Sequence, residues 1–172
     1  MSVYLIGYRG AGKTTIGRRL ADRLWQTFVD SDERVIQQSG RKSIREIFDQ
    51  HGEAAFRDLE AKIVRELSQL SEHVIALGGG ALLRDENREA LTKPEHKLVY
   101  LHCDPEELHR RIQADPLTAA NRPNLTPLGG SVDEIKNLLV EREPIYRACM
   151  TAELDVTNLT PEEAVTRLGR LV

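Results

Sequence analysis

The 172 residues contain only two cysteines, Cys103 and Cys149, far apart and in no Cys-x-x-Cys pair. That excludes a zinc or dithiol redox signature and leaves two semi-buried thiols suited to a reducing cytosol. An excess of basic residues is also lacking. The formal net charge is -3 and the pI is near 6.0, which argues against a nucleic-acid-binding stripe. No apolar stretch is long enough to cross a bilayer. The apolar run at residues 3–6 is too short for a secretory signal and leads straight into a glycine-rich loop. A cytoplasmic protein with no membrane partner is therefore expected. Internal repeats and low-complexity tracts are missing too. What remains is a balance of 40% hydrophobic and 30% charged residues, which with this length suits one α/β domain spanning residues 1–172.

Periodicity and end signals divide the chain into alternating strands and helices. Residues 3–6 read as a buried strand, residues 7–14 as a loop, and a helix follows to about Leu24, with Ile16, Leu20 and Leu24 on one face. Phe28 and Val29 begin an extended segment that runs through Asp30, Ser31 and Asp32. A helix over residues 33–38 stops at Gly40. Ser43 and Glu46 form a capping-box pattern for a helix to about His51, ended by Gly52, and a longer amphipathic helix covers residues 53–70. Further strands are expected at 73–77, 97–102 and 153–157. Helices are expected at 85–91, from Asp104-Pro105 to about Ala114, from a second capping box at Ser131 and Glu134 to about Arg147, and after Thr160-Pro161. Residues 115–131 hold three prolines and two glycines with little periodicity and read as a mobile loop within the domain. Strands alternating with helices predict a parallel sheet covered on both faces.

Gly7-x-x-x-x-Gly12-Lys13-Thr14 matches the P-loop pattern between a strand and a helix. Its glycines let backbone N–H groups approach phosphate oxygens, and the helix N-terminus adds its positive end. The expected nucleotide-binding set is Gly10, Ala11, Gly12, Lys13, Thr14 and Thr15, with Lys13 on the β- and γ-phosphates and Thr14 on Mg²⁺. The Asn-Lys-x-Asp motif of guanine-specific proteins is missing. The strand ending at Leu77 runs into glycine rather than a metal-binding aspartate, so the Mg²⁺ carboxylate must come from elsewhere. Asp30 and Asp32 stand at a strand end, where α/β sheets place ligands. Two residues apart, both can share one face if the segment stays extended, one for Mg²⁺ and one for an acceptor hydroxyl. Asp32 also suits a helix N-cap before Glu33. His102 and His109 have poor metal-ligand spacing and are expected to be structural or surface residues.

Further motifs follow in order: Phe28-Val-Asp-Ser-Asp32, Gly40-Arg-Lys-Ser43, Ile47-Phe48, Gly52-Glu53-x-x-Phe56-Arg57-x-x-Glu60, Gly78-Gly-Gly80, Arg122-Pro123 and Glu141-Arg142-x-x-x-Tyr146. The ordered set resembles the shikimate kinases over nearly the whole chain. The resemblance implies a nucleoside-monophosphate-kinase-like three-layer fold with a central parallel sheet, a substrate-binding segment at about 31–60 and a mobile lid at about 115–131. It implies transfer of the ATP γ-phosphoryl group to the 3-hydroxyl of shikimate. By position it assigns Lys13 and Thr14 to nucleotide and Mg²⁺, and Asp30 to Mg²⁺. Asp32 falls to the acceptor hydroxyls as a proton acceptor, Arg57 and Arg142 to the shikimate carboxylate, and Gly78, Gly79 and Gly80 to the substrate-side loop. Arg122 becomes the lid arginine near the transferred group, and Arg110 an arginine packing on adenine. Glu60, one turn after Arg57, can orient that arginine or meet a hydroxyl. Many members carry two leucines after the lid Arg-Pro, whereas here Asn124 and Leu125 follow, resembling a variant lid. Without the resemblance, Arg57 and Arg142 read as a solvated helix face, and gluconate kinase or a non-catalytic nucleotide-binding module remain alternatives. A monomer is expected, since no long exposed apolar helix is evident.

Overall fold

The computed structural model describes residues 1–115 and 130–172. Most of the expected lid, residues 116–129 with Arg122, lies outside them. Five strands build one parallel sheet: β1 (Ser2–Ile6), β2 (Thr27–Asp30), β3 (His73–Ala76), β4 (His96–His102) and β5 (Ala152–Asp155), in the spatial order β2-β3-β1-β4-β5. The first strand is central because the chain leaves it to one side for β3 and later returns to its other side for β4. That reversal opens a crevice at the carboxyl end of β1, where open α/β sheets bind ligands. The P-loop occupies it.

Strands covered on both faces need apolar residues at every position, and β1 is buried throughout. Val3 and Leu5 enter the core beneath α1 (Lys13–Leu24) and α5 (Pro105–Ala114), with Ile16, Leu20 and Leu108. Tyr4 and Ile6 point the other way, into the core with Ile63, Val64 and Leu67 of α3 (Ile44–Leu67). The alternation is the ordinary two-residue period of a strand. Two further helices pack on the sheet, α6 (Val132–Cys149) and α7 (Pro161–Leu168), while α4 (Asp85–Leu91) lies against α3.

The helix ends follow the sequence signals with instructive differences. Strand β2 stops at Asp30, and α2 (Ser31–Ser39) begins at once, two residues earlier than its pattern suggests. Asp30, not Asp32, is the N-cap, accepting from the N–H groups of Asp32 and Glu33. Asp32 therefore sits in the first helical turn, and the expected extended Asp30-Ser31-Asp32 segment is not formed. Gly40 ends α2 in the left-handed conformation. As expected, Gly52 separates two helices, since its φ of 81° and ψ of 169° are not helical, and α3 is these two helices in succession. α3 ends at Leu67 rather than Leu70. At Ser43 and Ser131 only half of each capping box forms. Both hydroxyls accept from the third helical N–H, but Glu46 turns to the N–H of Lys42 and Glu134 is drawn inside. Thr160 and Glu163 complete a reciprocal box.

Helix α1 lies close over the sheet because Gly17 has no side chain. A Cβ there would fall 2.6 Å from the Phe28 ring and 3.2 Å from Leu5. Gly17→Val is expected to destabilise the fold by about 1–3 kcal/mol through overpacking. A urea midpoint unchanged from wild type would contradict that account of the packing.

Candidate active site

The loop between β1 and α1 turns through Gly7 at φ 139° and Gly12 at φ 90°, conformations that side chains other than glycine's rarely allow. At Gly7 space forbids a side chain as well, since a Cβ would lie 2.7 Å from the Leu101 carbonyl oxygen. The loop forms one wall of a cleft of about 740 Å³, lined there by Gly10, Gly12, Lys13, Thr14 and Thr15. The facing wall comes from Glu107, Arg110 and Arg111 of α5 and from residues 156–161. Lys13 Nζ donates to the carbonyls of Gly7 (2.7 Å) and Tyr8 (2.9 Å), so the ammonium lies folded over the loop. The Thr14 hydroxyl donates to Asp30 Oδ2 at 2.7 Å. A hydroxyl and a carboxylate in contact at the mouth of a P-loop are hard oxygen donors. They fit Mg²⁺, which takes one or two carboxylates and fills its shell with phosphate and water.

A smaller pocket adjoins this cleft, lined by Arg9, Asp32, Ile44, Phe48, Phe56, Arg57, Glu60, the three glycines 78–80 and Arg142. Arg57 Nη1 donates to Glu60 Oε2 at 2.7 Å. Glu60 is 2% exposed, and burial pushes its carboxyl above the usual carboxylate pKa, an effect that Arg57 opposes and Asp32 reinforces. The glycines allow close approach. A Cβ on Gly78 would stand 2.7 Å from Asp32 Oδ1 and 3.0 Å from Glu60 Oε1, and one on Gly80 would stand 2.5 Å from Arg57 Nη1. Tyr146, at the far end of α6, donates its hydroxyl to the Gly79 carbonyl at 2.5 Å, and burial pushes that phenol up to about 12. Arg142, one turn earlier, stands 5.8 Å from the centre of the Tyr8 ring. Phe48 and Phe56 meet at 4.9 Å between ring centres and give the pocket an apolar side. Three guanidiniums against two carboxylates leave the lining with an excess of one positive charge, so it suits a small anion with an apolar body.

The structure thus gathers Asp32, Arg57, Gly78, Gly79, Gly80 and Arg142 around one pocket, and Gly10, Gly12, Lys13, Thr14, Thr15 and Asp30 around the other. Ala11 is fully buried behind the loop and does not line the cleft, its N–H donating to the Tyr8 carbonyl. Arg110 borders the cleft, but its Nε and Nη2 both donate to Glu107 at 2.7 Å. Arg122 is outside the described residues. Sequence reasoning passed over Arg9, Glu107 and the 156–161 wall. Glu107 carries a signal in retrospect, lying three and four residues before Arg110 and Arg111 on one helix. These arginines hold its carboxyl down at about 2. Arg9 could have been noticed as a charged side chain inside the P-loop. The 156–161 wall has no residue pattern of its own.

A model of the shikimate kinase family matches residues 9–172. The chain is similar to the shikimate kinase of Enterococcus faecalis, 41% identical with 97% of this chain and 95% of the relative covered. It is similar to that of Rhodopirellula baltica at 39%, covering 96% and 87%. Among solved structures, the shikimate kinase from Acinetobacter baumannii in complex with shikimate superposes with a TM-score of 0.90 at 33% identity, over 99% of this chain and 91% of the other. With the P-loop, the glycine run and the paired arginines in one crevice, the match over nearly the whole length means that this chain belongs to the shikimate kinase family.

Proposed function

We propose that the chain transfers the γ-phosphoryl group of ATP to the 3-hydroxyl of shikimate, giving shikimate 3-phosphate and ADP. The observation that carries this reading is the position of Asp32. Its side chain borders both the P-loop cleft and the pocket of guanidiniums, so one carboxylate meets both partners of a transfer. The resemblance of the whole chain to a family with a shikimate-bound member supplies the acceptor's name.

In this reading the P-loop N–H groups and Lys13 hold the β- and γ-phosphates, Lys13 leaving the loop carbonyls for phosphate oxygens. Thr14 and Asp30 are the residues that would hold Mg²⁺, which when bound neutralises the developing phosphate charge. Arg57 and Arg142 grip the shikimate carboxylate, where the fork geometry of guanidinium gives orientation as well as charge. Asp32 orients the 3-hydroxyl and accepts its proton as the new O–P bond forms. The bond from the γ-phosphorus to the bridging oxygen breaks, and its electron pair leaves with ADP. By resemblance, Arg110 packs on the adenine and Arg122 takes a place beside the transferred group. Most of the acceleration is positioning and charge stabilisation. We read residues 1–172 as one domain, with the acceptor-binding segment at about 31–60 and a lid at about 115–131. We read the protein as a cytoplasmic monomer, and none of the helices among the described residues is long and apolar enough to cross a membrane.

A coupled assay of ADP release checks the reaction. Release should depend on shikimate and stay at background with gluconate; equal rates with both acids, or none with shikimate, would overturn the assignment. Asp32→Asn should lower kcat by about 10²–10⁴-fold, the range for a positioned proton acceptor, and a near-normal kcat would remove it from that role. Gly80→Ala displaces the Arg57 tip, a flexible group, so the fold should survive. The KM for shikimate should rise about 10–100-fold, as for a lost charged hydrogen bond, with the KM for ATP and the melting temperature nearly unchanged. A parallel rise in both KM values would show that the glycine supports the whole cleft instead.

A further inference from the structure

Among the described residues, two side chains line both the nucleotide cleft and the acceptor pocket: Asp32 and Arg9. The reading above gives Asp32 its task and leaves Arg9 with none. Arg9 is the third residue of the P-loop, between Gly7 and Gly10, both at positive φ. Its backbone nitrogen packs against the glycine run, 3.6 Å from where a Cβ on Gly79 would stand, and Arg142 Nη1 is equally close to that point. The loop therefore places a cation where the two pockets meet.

The guanidinium is also held. Its Nη2 lies 3.8 Å from Glu134 Oε2, with the Arg9 side chain 10% exposed and that of Glu134 fully buried. Glu134 belongs to the first turn of α6, where Ser131 fixes its backbone N–H, and the same helix carries Arg142 about two turns further on. A purely structural role explains this pair poorly. Buried ion pairs add little net stability compared with apolar residues of the same size, and 3.8 Å is long for a pair whose purpose is to bond. A charge kept at a seam where two pockets meet and braced from behind, its Nε buried without a hydrogen-bond partner, is the arrangement expected of a phosphate-binding arginine.

We propose that Arg9 binds the phosphoryl group as it crosses from nucleotide to acceptor, and that Glu134 is the positioning residue that keeps the Arg9 guanidinium at the seam. Arg9 donates to the oxygens of the transferred group and stays with them in the phosphorylated product. This inference rests on the proposed shikimate phosphorylation.

The test uses Arg9→Met, Arg9→Lys, Glu134→Gln and the Arg9→Met/Glu134→Gln double variant in the full chain. Shikimate and shikimate 3-phosphate binding are measured by calorimetry beside steady-state kinetics. Arg9→Met should lower kcat by about 100-fold, the scale of one lost transition-state donor. It should weaken product binding about tenfold while leaving the KM for shikimate within about threefold. Arg9→Lys should recover part of kcat. Glu134→Gln should lower kcat about tenfold in the wild-type background and hardly at all in the Arg9→Met background, because residues acting as a unit are not additive. Removing Arg9 alone leaves a buried carboxylate without this cation, so the double variant, checked by circular dichroism, separates a folding loss from a lost contact. The same kcat defect in the folded double variant supports the proposal. It is overturned by an Arg9→Met enzyme within about threefold of wild-type kcat, by a raised KM for shikimate with kcat retained, or by independent multiplication of the two single effects. A wild-type protein inactive on shikimate would instead sink the functional reading itself.

Discussion

The carboxylate of Asp30 joins the two halves of the site. One oxygen caps α2 and so fixes where Asp32 emerges; the other accepts from Thr14 at the start of α1. The residue is itself anchored by parallel pairing of β2 with β3, opposite Ala76. Its neighbour Ser31 accepts from the Gly78 N–H at 2.9 Å, which ties the same corner to the glycine run. The phosphate-binding helix, the acceptor-facing aspartate and the glycines beside the acceptor are thus referenced to one turn. In phosphoryl transfer, where the protein supplies position and charge more than covalent chemistry, a displacement of that turn would be felt at both ends of the reaction.

The cost of such a site is visible in what the interior contains. Six charged residues are buried among those described: Lys13, Asp30, Asp32, Glu60, Glu134 and Arg142. All of them line the two pockets or brace a residue that does. Charged side chains are rarely buried unless paired, and gathering them destabilises an isolated domain. Two apolar layers offset that cost, one on each face of the sheet. Among the described residues the buried charges gather at the two pockets, and the other buried polar residues outside their linings, such as Ser2, Ser68, Asn87 and His96, are few.

Much of this was legible in the sequence because local rules and global fold agree. The P-loop, the strand runs and the end signals at Gly40, Ser43 and Thr160 each specify structure within a few residues. The choice of Asp30 and Asp32 was also legible, but its geometry was not. Spacing suggested two side chains on one face of an extended segment, whereas the structure brings them together by ending the strand at Asp30 and starting a helix with Asp32 in its first turn. A short polar residue at a strand end suits strand, cap and first turn alike, and only the packing of α2 decides. The inward turn of Glu134 was hidden for a similar reason. Its spacing from Ser131 suits a capping box, and nothing local reveals that an arginine from the far end of the chain lies nearby. Long-range electrostatics of this kind leaves no periodic trace.

The acceptor pocket shows how a flexible residue becomes a precise one. An arginine free in solution loses considerable rotamer freedom when it clamps a ligand, and that loss weakens binding. Arg57 is already constrained before any ligand arrives. Glu60 takes one of its nitrogens, Glu53 approaches another at 3.5 Å, and the bare backbone of Gly80 lets the fork lie flat against it. Glu60 is buried and its proton affinity is raised, so this brace is strong only while the carboxylate stays ionised beside the arginine. A carboxylate entering the pocket meets a lining in which three guanidiniums stand against two carboxylates. The anion thus finds donors already aimed.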